Sequence, residues 1–201
     1  MHNDPKDLEA LKRLIGYIQY TCDKVMTLSP TGIIIHCWTD ASYGNHAGKK
    51  GQSGILISMS YDEVLNKATG FIYAMSSKQK LVAQSSAEAE LIAQAEGLKY
   101  LLWIKHVLEA LNYAHEEPMV IFHQDNMAAI HMSETGSGKF KHTKHIEHRY
   151  FLIHNHLECD NITMRFCPTE KMIADLLTKT TFTGPKVASL TASMLNERAP
   201  E

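Results

Sequence analysis

The sequence contains few cysteines, and none of them is arranged as metal-binding or redox cysteines usually are. Four occur in 201 residues, far apart and without a C-x-x-C pair. This excludes a zinc ribbon and a dithiol redox motif, and it makes reduced, intracellular thiols the expected state. The four are Cys22, Cys37, Cys159 and Cys167.

Long apolar runs are also missing. No segment is apolar over the length that crosses a bilayer, and the amino terminus, with Asp4 and Asp7, lacks the cationic and apolar blocks of a signal peptide. We therefore expect no membrane partner and a cytoplasmic protein, unless the chain is a fragment whose targeting signals lie elsewhere. The formal net charge of −2 hides a local asymmetry, because 139–149 is rich in Lys, His and Arg.

What the chain does have is enough apolar sequence for one substantial core. Hydrophobic residues make up 44% of it, which favours one domain with appendages. Asp4 followed by Pro5 predicts the start of a helix that ends near 22–24, before the turn-forming segment LSPTG. We therefore divide the chain into a helical extension over 1–30, a domain over 31–180, and a tail over 181–201 that we expect to be disordered.

The domain alternates strand and helix patterns. Three strands are predicted first, in IIIHCWTDAS, ILISMS and ATGFIYAM, and a long helix follows from Ser85, whose spacing to Glu88 is that of a capping box. The strand MVIFHQD, the helix NMAAIHMSE, a helix over 145–157, the strand ITMRFCP and a last helix in EKMIADLLTK complete the order. This order predicts one mixed sheet covered by helices, of the α/β class, with Trp38 and Trp103 in the core.

Carboxylates stand where two of the predicted buried strands end. Asp40 ends the first strand and Asp125 ends a later one, so the two meet at one edge of the sheet if those strands are neighbours. Glu90 in the long helix and Asp175 in the last helix are placed to join them. Four such carboxylates would repel one another unless divalent cations neutralised them, and an all-oxygen set suits Mg²⁺ or Mn²⁺. The alternative for the glutamates of the long helix is a solvated face, whereas a strand-end aspartate beside a core must be paired, protonated or metal-bound.

Five segments carry a resemblance to a known family. TDAS, SSKQKLVAQSSAEAELIA, QDNMAAI, TKHIEHRYFLI and CPTEKMIADLLTK stand in the order and spacing found in the ribonuclease H domain of copia-type LTR retrotransposon polyproteins. The resemblance covers roughly Ile33 to Lys179. The amino-terminal helix resembles the connection segment that joins the polymerase to that domain, so the polymerase portion of the same reverse transcriptase is the partner that the resemblance implies.

The resemblance implies a ribonuclease H fold, with a five-stranded mixed sheet in which three antiparallel strands are followed by parallel ones. It also implies two Mg²⁺ ions, for which Mn²⁺ substitutes. The family pattern makes Glu90 the metal-binding glutamate and leaves Glu88 as a helix cap. The implied catalytic and metal-binding residues are Asp40, Glu90, Asp125 and Asp175.

The sequence departs from its relatives at two points. Where relatives often read D-A-D-W, this chain has Asp40, Ala41, Ser42 and Tyr43, so a second nearby acid is absent. The histidine that many cellular enzymes carry before the last aspartate has no match between Pro168 and Asp175. His142 or His145 is the candidate for its proton-shuttling role.

The expected substrate is an RNA–DNA hybrid, recognised by backbone shape and 2′-hydroxyl contacts. Cations in KFKHTKHIEHR are placed to follow a phosphate backbone, with a solvated helix start as the alternative. A zinc site at His145 and His148 is disfavoured, because Lys144 and Arg149 would repel the ion. For Lys78, Gln79, Lys80 and Asn126, the alternative is an exposed polar residue on the rim of the sheet. The full set of predicted nucleic-acid contacts is Ser42, Lys78, Gln79, Lys80, Asn126, Lys144, His145 and Arg149.

These observations predict an endonuclease that cuts the RNA strand of hybrids during reverse transcription, in the cytoplasm within a virus-like particle and with a later nuclear stage. The alternative is a catalytically inactive module that binds hybrids or tethers a subunit. An integrase-type recombinase is disfavoured, because its last acid is a glutamate where this chain has Asp175, and because no amino-terminal zinc motif is present. The sequence does not specify an oligomeric state.

Overall fold

A computed structural model of the chain describes residues 5–28, 34–60, 70–113, 119–135, 144–179 and 184–197, with 144–150, 193 and 196–197 described by their backbone alone. The elements in chain order are α1 (Pro5–Thr21), β1 (Lys24–Val25), β2 (Ile34–Ser42), β3 (Gln52–Ser60), β4 (Tyr73–Lys78), α2 (Ser86–Ala110), β5 (Val120–Gln124), α3 (Met127–Thr135), α4 (Lys144–Cys159), β6 (Ile162–Phe166), a 3₁₀ helix (Ile173–Leu177), α5 (Gly184–Met194) and β7 (Asn196–Glu197). Within these ranges, no helix combines the length and apolarity that a membrane crossing needs.

The main sheet has five strands in the order β4-β3-β2-β5-β6. β3 is antiparallel to both β2 and β4, whereas β5 is parallel to β2 and β6 is parallel to β5. The mixed sheet predicted from the order of strand and helix patterns is therefore confirmed. β2 lies at its centre and is buried over 35–40, which explains why its sequence is mostly apolar or β-branched.

Helices cover both faces of the sheet. One core lies between the sheet and α2, α3 and α4, where Ile35, Phe122 and Leu101 are fully or almost fully buried. A second, smaller core lies on the opposite face, where Trp38 packs with the segment around Met172 and with Leu190 of α5. Burial on the two faces therefore gives one large core and one smaller one, where the composition led us to expect a single core.

Three predicted elements differ in the structure. The third strand begins at Tyr73 and not at 68, since Gly70 has a φ of +91° that interrupts an extended strand. The last predicted helix is only the 3₁₀ helix, whose backbone lies close enough to β3 that a Cβ on Gly54 would be 2.9 Å from the carbonyl oxygen of Ala174. The tail is not disordered over 184–197: it forms α5 and β7.

The extension and the tail are hydrogen-bonded to each other. β7 pairs antiparallel with β1, with Lys24 opposite Glu197. The amide of Phe71 also donates to the sulfur of Met26, which ties the extension to the start of β4. α1 itself buries none of its residues, so its predicted apolar stripe is exposed. The prediction that Trp103 is a core residue is wrong, because 63% of it is exposed on the outer side of α2.

Candidate active site

Two aspartates lie side by side where β2 and β5 end. The parallel register pairs Trp38 with His123, and Asp40 and Asp125 each stand two residues farther along their strands. Because the strands are parallel neighbours, both carboxylates emerge at the same edge of the sheet. Asp40 is buried, with 2% of its surface exposed, while Asp125 is partly exposed just after β5.

The 3₁₀ helix brings a third carboxylate to this edge. Asp175 lies in it and is fully buried. One carboxylate oxygen from each of Asp40, Asp125 and Asp175 lies within 4.8 Å of the others. The fold therefore gathers three acids that are up to 135 residues apart in sequence into one cluster.

Glu90 enters the same pocket from the second turn of α2. It is buried and lines the pocket together with Asp40 and Asp125. The amide nitrogen of Gln124 donates to Glu90 Oε2 at 3.2 Å, and its oxygen accepts from the backbone N–H groups of Asp125 and Asn126 at 2.8 and 3.0 Å. Gln124 is fully buried, so one side chain fixes both Glu90 and the turn that carries Asp125.

Glu88 has a different position at the start of α2. Its backbone N–H donates to Ser85 Oγ at 3.1 Å, and its own carboxylate accepts from the backbone N–H of Gln84 at 2.6 Å. The first bond satisfies an N–H group that an uncapped helix leaves without a partner, and the second holds the residue that precedes the N-cap Ser85. The structure thus places Glu88 at the helix start and Glu90 in the pocket.

Burial makes these carboxylates costly to ionise. Desolvation raises the pKa of Asp40 to about 6, against the hydrogen bond from Thr178 and the charge of Lys179, which act to lower it. Desolvation, followed by the charges of Asp40 and Asp125, raises the pKa of Glu90 well above its usual range. A cation placed between the carboxylates would relieve both effects.

Two lysines already supply positive charge to Asp175. Lys179 Nζ lies 2.5 Å from Asp175 Oδ1 and 3.7 Å from Asp40 Oδ1. Lys186 Nζ, from α5, lies 3.0 Å from Asp175 Oδ2. Burial acts to lower the pKa of Lys179, but the hydrogen bond and charge of Asp175 together with the charge of Asp40 raise it overall.

Sequence reasoning missed these lysines and the hydroxyl groups beside them. Thr178 donates to Asp40 Oδ2, and Thr169 donates to Asp125 Oδ2 at 3.1 Å. The spacing of four residues between Asp175 and Lys179 could have predicted their ion pair from the sequence, since such residues face each other on a helix. Nothing in the sequence around Lys186 indicates that α5 carries it to the site.

The donor set fits a hard divalent cation. The converging groups are carboxylates, three of them buried, and desolvation raises the pKa of Asp40 and of Glu90. Oxygen donors of this kind are the ligands of Mg²⁺ and Mn²⁺. Asp40, Asp125 and Asp175 could hold such an ion together, and Glu90 lines the same pocket as Asp40 and Asp125.

Known proteins resemble the chain in sequence and in fold. No family model matches it. A retrovirus-related Pol polyprotein from the transposon TNT 1-94 of Nicotiana tabacum is 31% identical over 172 residues, which are 85% of this chain but 12% of that relative's length. The structure of a ribonuclease H1 isolated from compost by a metagenomic approach matches with a TM-score of 0.52 at 20% identity, over 72% of this chain and 91% of the other.

The chain is a homologue of transposon Pol polyproteins and has the ribonuclease H fold. The resemblance stated from the sequence motifs is thereby confirmed, as is the fold. A structure of the compost enzyme in complex with an RNA/DNA hybrid matches the chain with a TM-score of 0.51 at 20% identity, over 72% of this chain and 93% of the other. The chain spans about an eighth of the length of the transposon polyprotein.

The predicted nucleic-acid contacts around the KQK segment divide between surface and interior. Lys78 and Lys80 are exposed at the end of β4, which is an edge strand. Gln79 between them is buried, and its amide nitrogen donates to Ser53 Oγ at 3.0 Å and to the carbonyl of Ala89 at 2.9 Å. The expectation that Gln79 reaches a sugar therefore needs correction, since strand alternation turns its side chain inward.

The other predicted contacts lie closer to the carboxylates or outside the described side chains. Ser42 is buried, and its hydroxyl has no hydrogen-bond partner among the described residues. Asn126 lines the pocket while its side-chain oxygen caps α3, accepting from the backbone N–H groups of Ala128 and Ala129. The side chains of Lys144, His145, His148 and Arg149 lie outside the described residues, as does the whole of His142.

Two apolar residues complete the pocket wall and were not foreseen from the sequence. Phe166 at the end of β6 and Met127 at the start of α3 both line the pocket. Half or more of each side chain is exposed. An exposed aromatic ring beside buried carboxylates gives the pocket a surface on which a sugar or base can pack.

Proposed function

We propose that the protein is an endonuclease that hydrolyses the RNA strand of RNA–DNA hybrids with the help of two divalent cations. The observation that carries this proposal is the convergence of Asp40, Asp125 and Asp175 within 4.8 Å, with Glu90 in the same pocket. Independent support comes from the resemblance to a Pol polyprotein and to a ribonuclease H1 whose hybrid complex has been solved.

The proposed chemistry assigns binding and positioning roles to the residues of the chain. Asp40, Glu90, Asp125 and Asp175 would hold the ions, which when bound supply a water activated for attack and charge stabilisation for the departing 3′ oxygen. Gln124 holds Glu90, and Thr169 holds one oxygen of Asp125. Both hydrogen bonds orient carboxylates before any ligand arrives, which reduces the reorganisation that binding requires.

The same geometry supports a nucleic-acid substrate held beside the carboxylates. Lys78 and Lys80 are exposed on the edge strand and are free to approach phosphates. Phe166 and Met127 present apolar surface at the pocket. Cations on one side and an aromatic wall on the other suit a ribose-phosphate backbone recognised by shape, with the 2′-hydroxyl distinguishing RNA from DNA.

We further propose the polymerase portion of the same polyprotein as a partner. α1 buries no residue, and it presents Leu8, Leu11, Ile15 and Ile18 on its surface, each about half exposed. An exposed apolar helix face of this kind marks an interaction surface more often than a solvated one. The Pol relative is about eight times longer than the matched segment, so chain outside this segment is available to cover the face.

The decisive experiment is a titration of Mg²⁺ in a cleavage assay on a hybrid labelled in its RNA strand. We expect metal-dependent cleavage of the hybrid and none of a DNA duplex of the same sequence. Asp125→Asn is expected to reduce the rate by at least about a hundredfold, because changes to groups that merely orient metal ligands already cost about 10- to 100-fold. Asp23→Asn, an exposed carboxylate in the turn after α1, is the matched control and should cleave like the parent.

Two results would count against the proposal. Cleavage that persists unchanged in Asp125→Asn would reject the assignment of the site. Tight binding of the hybrid without cleavage at any Mg²⁺ or Mn²⁺ concentration would instead favour the inactive hybrid-binding module. A gel-shift measurement on the same samples separates the second result from a simple failure to bind substrate.

A further inference from the structure

The carboxylate cluster contains a cation that belongs to the chain. Lys179 Nζ lies between two of the four acids, 2.5 Å from Asp175 Oδ1 and 3.7 Å from Asp40 Oδ1. Its side chain lines the pocket and is 35% exposed. The ammonium group therefore occupies space between two carboxylates that the proposed function assigns to metal binding.

The segment around Lys179 is built to place it there. The amide of Lys179 donates to the carbonyl of Asp175, so the side chains at these two positions share one face. Thr178, the residue before Lys179, donates its hydroxyl to Asp40 Oδ2. The carboxylate of Asp175, the hydroxyl of Thr178 and the ammonium of Lys179 thus lie within the five-residue segment 175–179. Asp40, which two of them contact, comes from β2.

Asp175 keeps a second partner if Lys179 leaves. Lys186 Nζ, from α5, lies 3.0 Å from Asp175 Oδ2, the oxygen that Lys179 does not contact. A fully buried carboxylate left without any partner would be strongly destabilising. Because Lys186 remains on one oxygen, the other can exchange an ammonium for a metal ion without that penalty.

We propose that Lys179 is a built-in counter-ion of this site, which holds Asp40 and Asp175 together in the metal-free protein and is displaced when a divalent cation binds. The inference rests on the metal site of the proposed function. A cation that must be displaced weakens metal binding, and it also prevents four acids from repelling one another when metal is scarce. Partial exposure of Lys179 gives its ammonium group a route into the pocket and to solvent.

The test combines metal affinity with stability in Lys179→Met. At pH 8, calorimetric titration with Mn²⁺ should show about tenfold tighter binding than in the parent, which corresponds to about 1.4 kcal/mol. The melting temperature of the variant should lie below that of the parent in EDTA, and the deficit should shrink or vanish in saturating Mg²⁺. Lys171→Met, an exposed lysine in the preceding turn, should change neither quantity.

Two further variants guard against a folding defect. Lys179→Gln removes the charge but keeps a donor toward Asp175, and it should also bind Mn²⁺ more tightly than the parent. Lys179→Arg keeps the charge and should stay close to the parent. If Lys179→Met does not fold, the comparison of Lys179→Gln with Lys179→Arg decides the question.

Each remaining outcome overturns the inference. A stability deficit that is equal with and without metal, or an unchanged or weaker Mn²⁺ affinity in both neutral variants, would make Lys179 an ordinary structural ion pair. In that case the proposed function survives if the parent binds Mn²⁺ and Asp125→Asn weakens that binding. If neither parent nor variants bind Mn²⁺ at millimolar concentration, the metal site and the inference fail together.

Discussion

Gly54→Ala tests whether the 3₁₀ helix packs against β3 as closely as the site requires. Gly54 lies in β3 opposite Asp40. A Cβ at this position would lie 2.8 Å from Thr178 Cγ2 and 2.9 Å from both the carbonyl oxygen of Ala174 and the Cβ of Leu177. Two of these three contacts involve atoms that cannot rotate away, so the added methyl group must push the whole segment outward.

The size of the effect follows from these distances. Carbon atoms in contact are ordinarily about 3.5–4.0 Å apart, so the 3₁₀ helix must move by roughly 0.5–1 Å. Overpacking of a buried site costs about 1–3 kcal/mol, and each kcal/mol lowers the melting temperature of a protein of this size by about 2–4 °C. The same shift moves Asp175 and Thr178 relative to Asp40, and we expect Mn²⁺ affinity to fall by about tenfold or more.

The assay is thermal unfolding in EDTA together with Mn²⁺ titration, with Gly16→Ala as the control. A Cβ on Gly16, in the middle of α1, meets no atom within 4 Å, and alanine is the better helix former by about 0.5–1 kcal/mol. The control should therefore not lose stability. A Gly54→Ala variant with the melting temperature and Mn²⁺ affinity of the parent would refute the close packing of the 3₁₀ helix on β3.

Two further predictions concern Asp40 and the surface of α1. As pH rises from about 4 to about 6, the metal-free protein should lose on the order of 2–3 kcal/mol of stability relative to Asp40→Asn, because burial raises the pKa of Asp40 to about 6 and the unfolded chain releases this proton at a lower pH than the folded protein does. Urea unfolding across this range tests the prediction, and a stability difference that is independent of pH would contradict it. The double variant Leu11→Gln and Ile15→Gln should change the stability of this chain by no more than about 0.5 kcal/mol. It should lower the stability of a polyprotein fragment that includes the polymerase portion, and equal effects in both proteins would remove the argument for a covered α1.

Hydrophobic periodicity predicted the central sheet because its strands are buried on one or both faces and are joined in an order that permits few arrangements. The same reasoning placed Asp40 and Asp125 together, since two strand-end acids meet once the strands are parallel neighbours. Local pattern failed where tertiary contacts decide the conformation. The 3₁₀ helix packs closely against Gly54, and α5 is held by the burial of Leu190 and by the ion pair of Lys186 with Asp175. The sequence of either segment alone does not indicate these contacts.

Side-chain direction was the second source of error. Trp103 lies in an apolar helix, but α2 is 25 residues long and its outer side at that point has no described neighbour to cover it. Gln79 stands between two exposed lysines, yet strand alternation turns it inward onto Ser53 and Ala89. Both residues show that composition predicts whether an element is buried better than it predicts which of its residues are.

The arrangement of charge at the site has a consequence for folding. Four carboxylates at one edge of the sheet would oppose folding in proportion to their mutual repulsion, and a protein that needed metal to offset this repulsion would fold only where metal is abundant. Here Thr178 and Lys179 come three and four residues after Asp175, and they contact Asp40 and Asp175 when the 3₁₀ helix is in place. The segment that contributes the last acid therefore also contributes the groups that make the cluster tolerable without metal. On the proposed function, such a site would fold without metal and bind its ions afterwards, and a phosphate backbone would restore affinity by adding negative charge beside the ions.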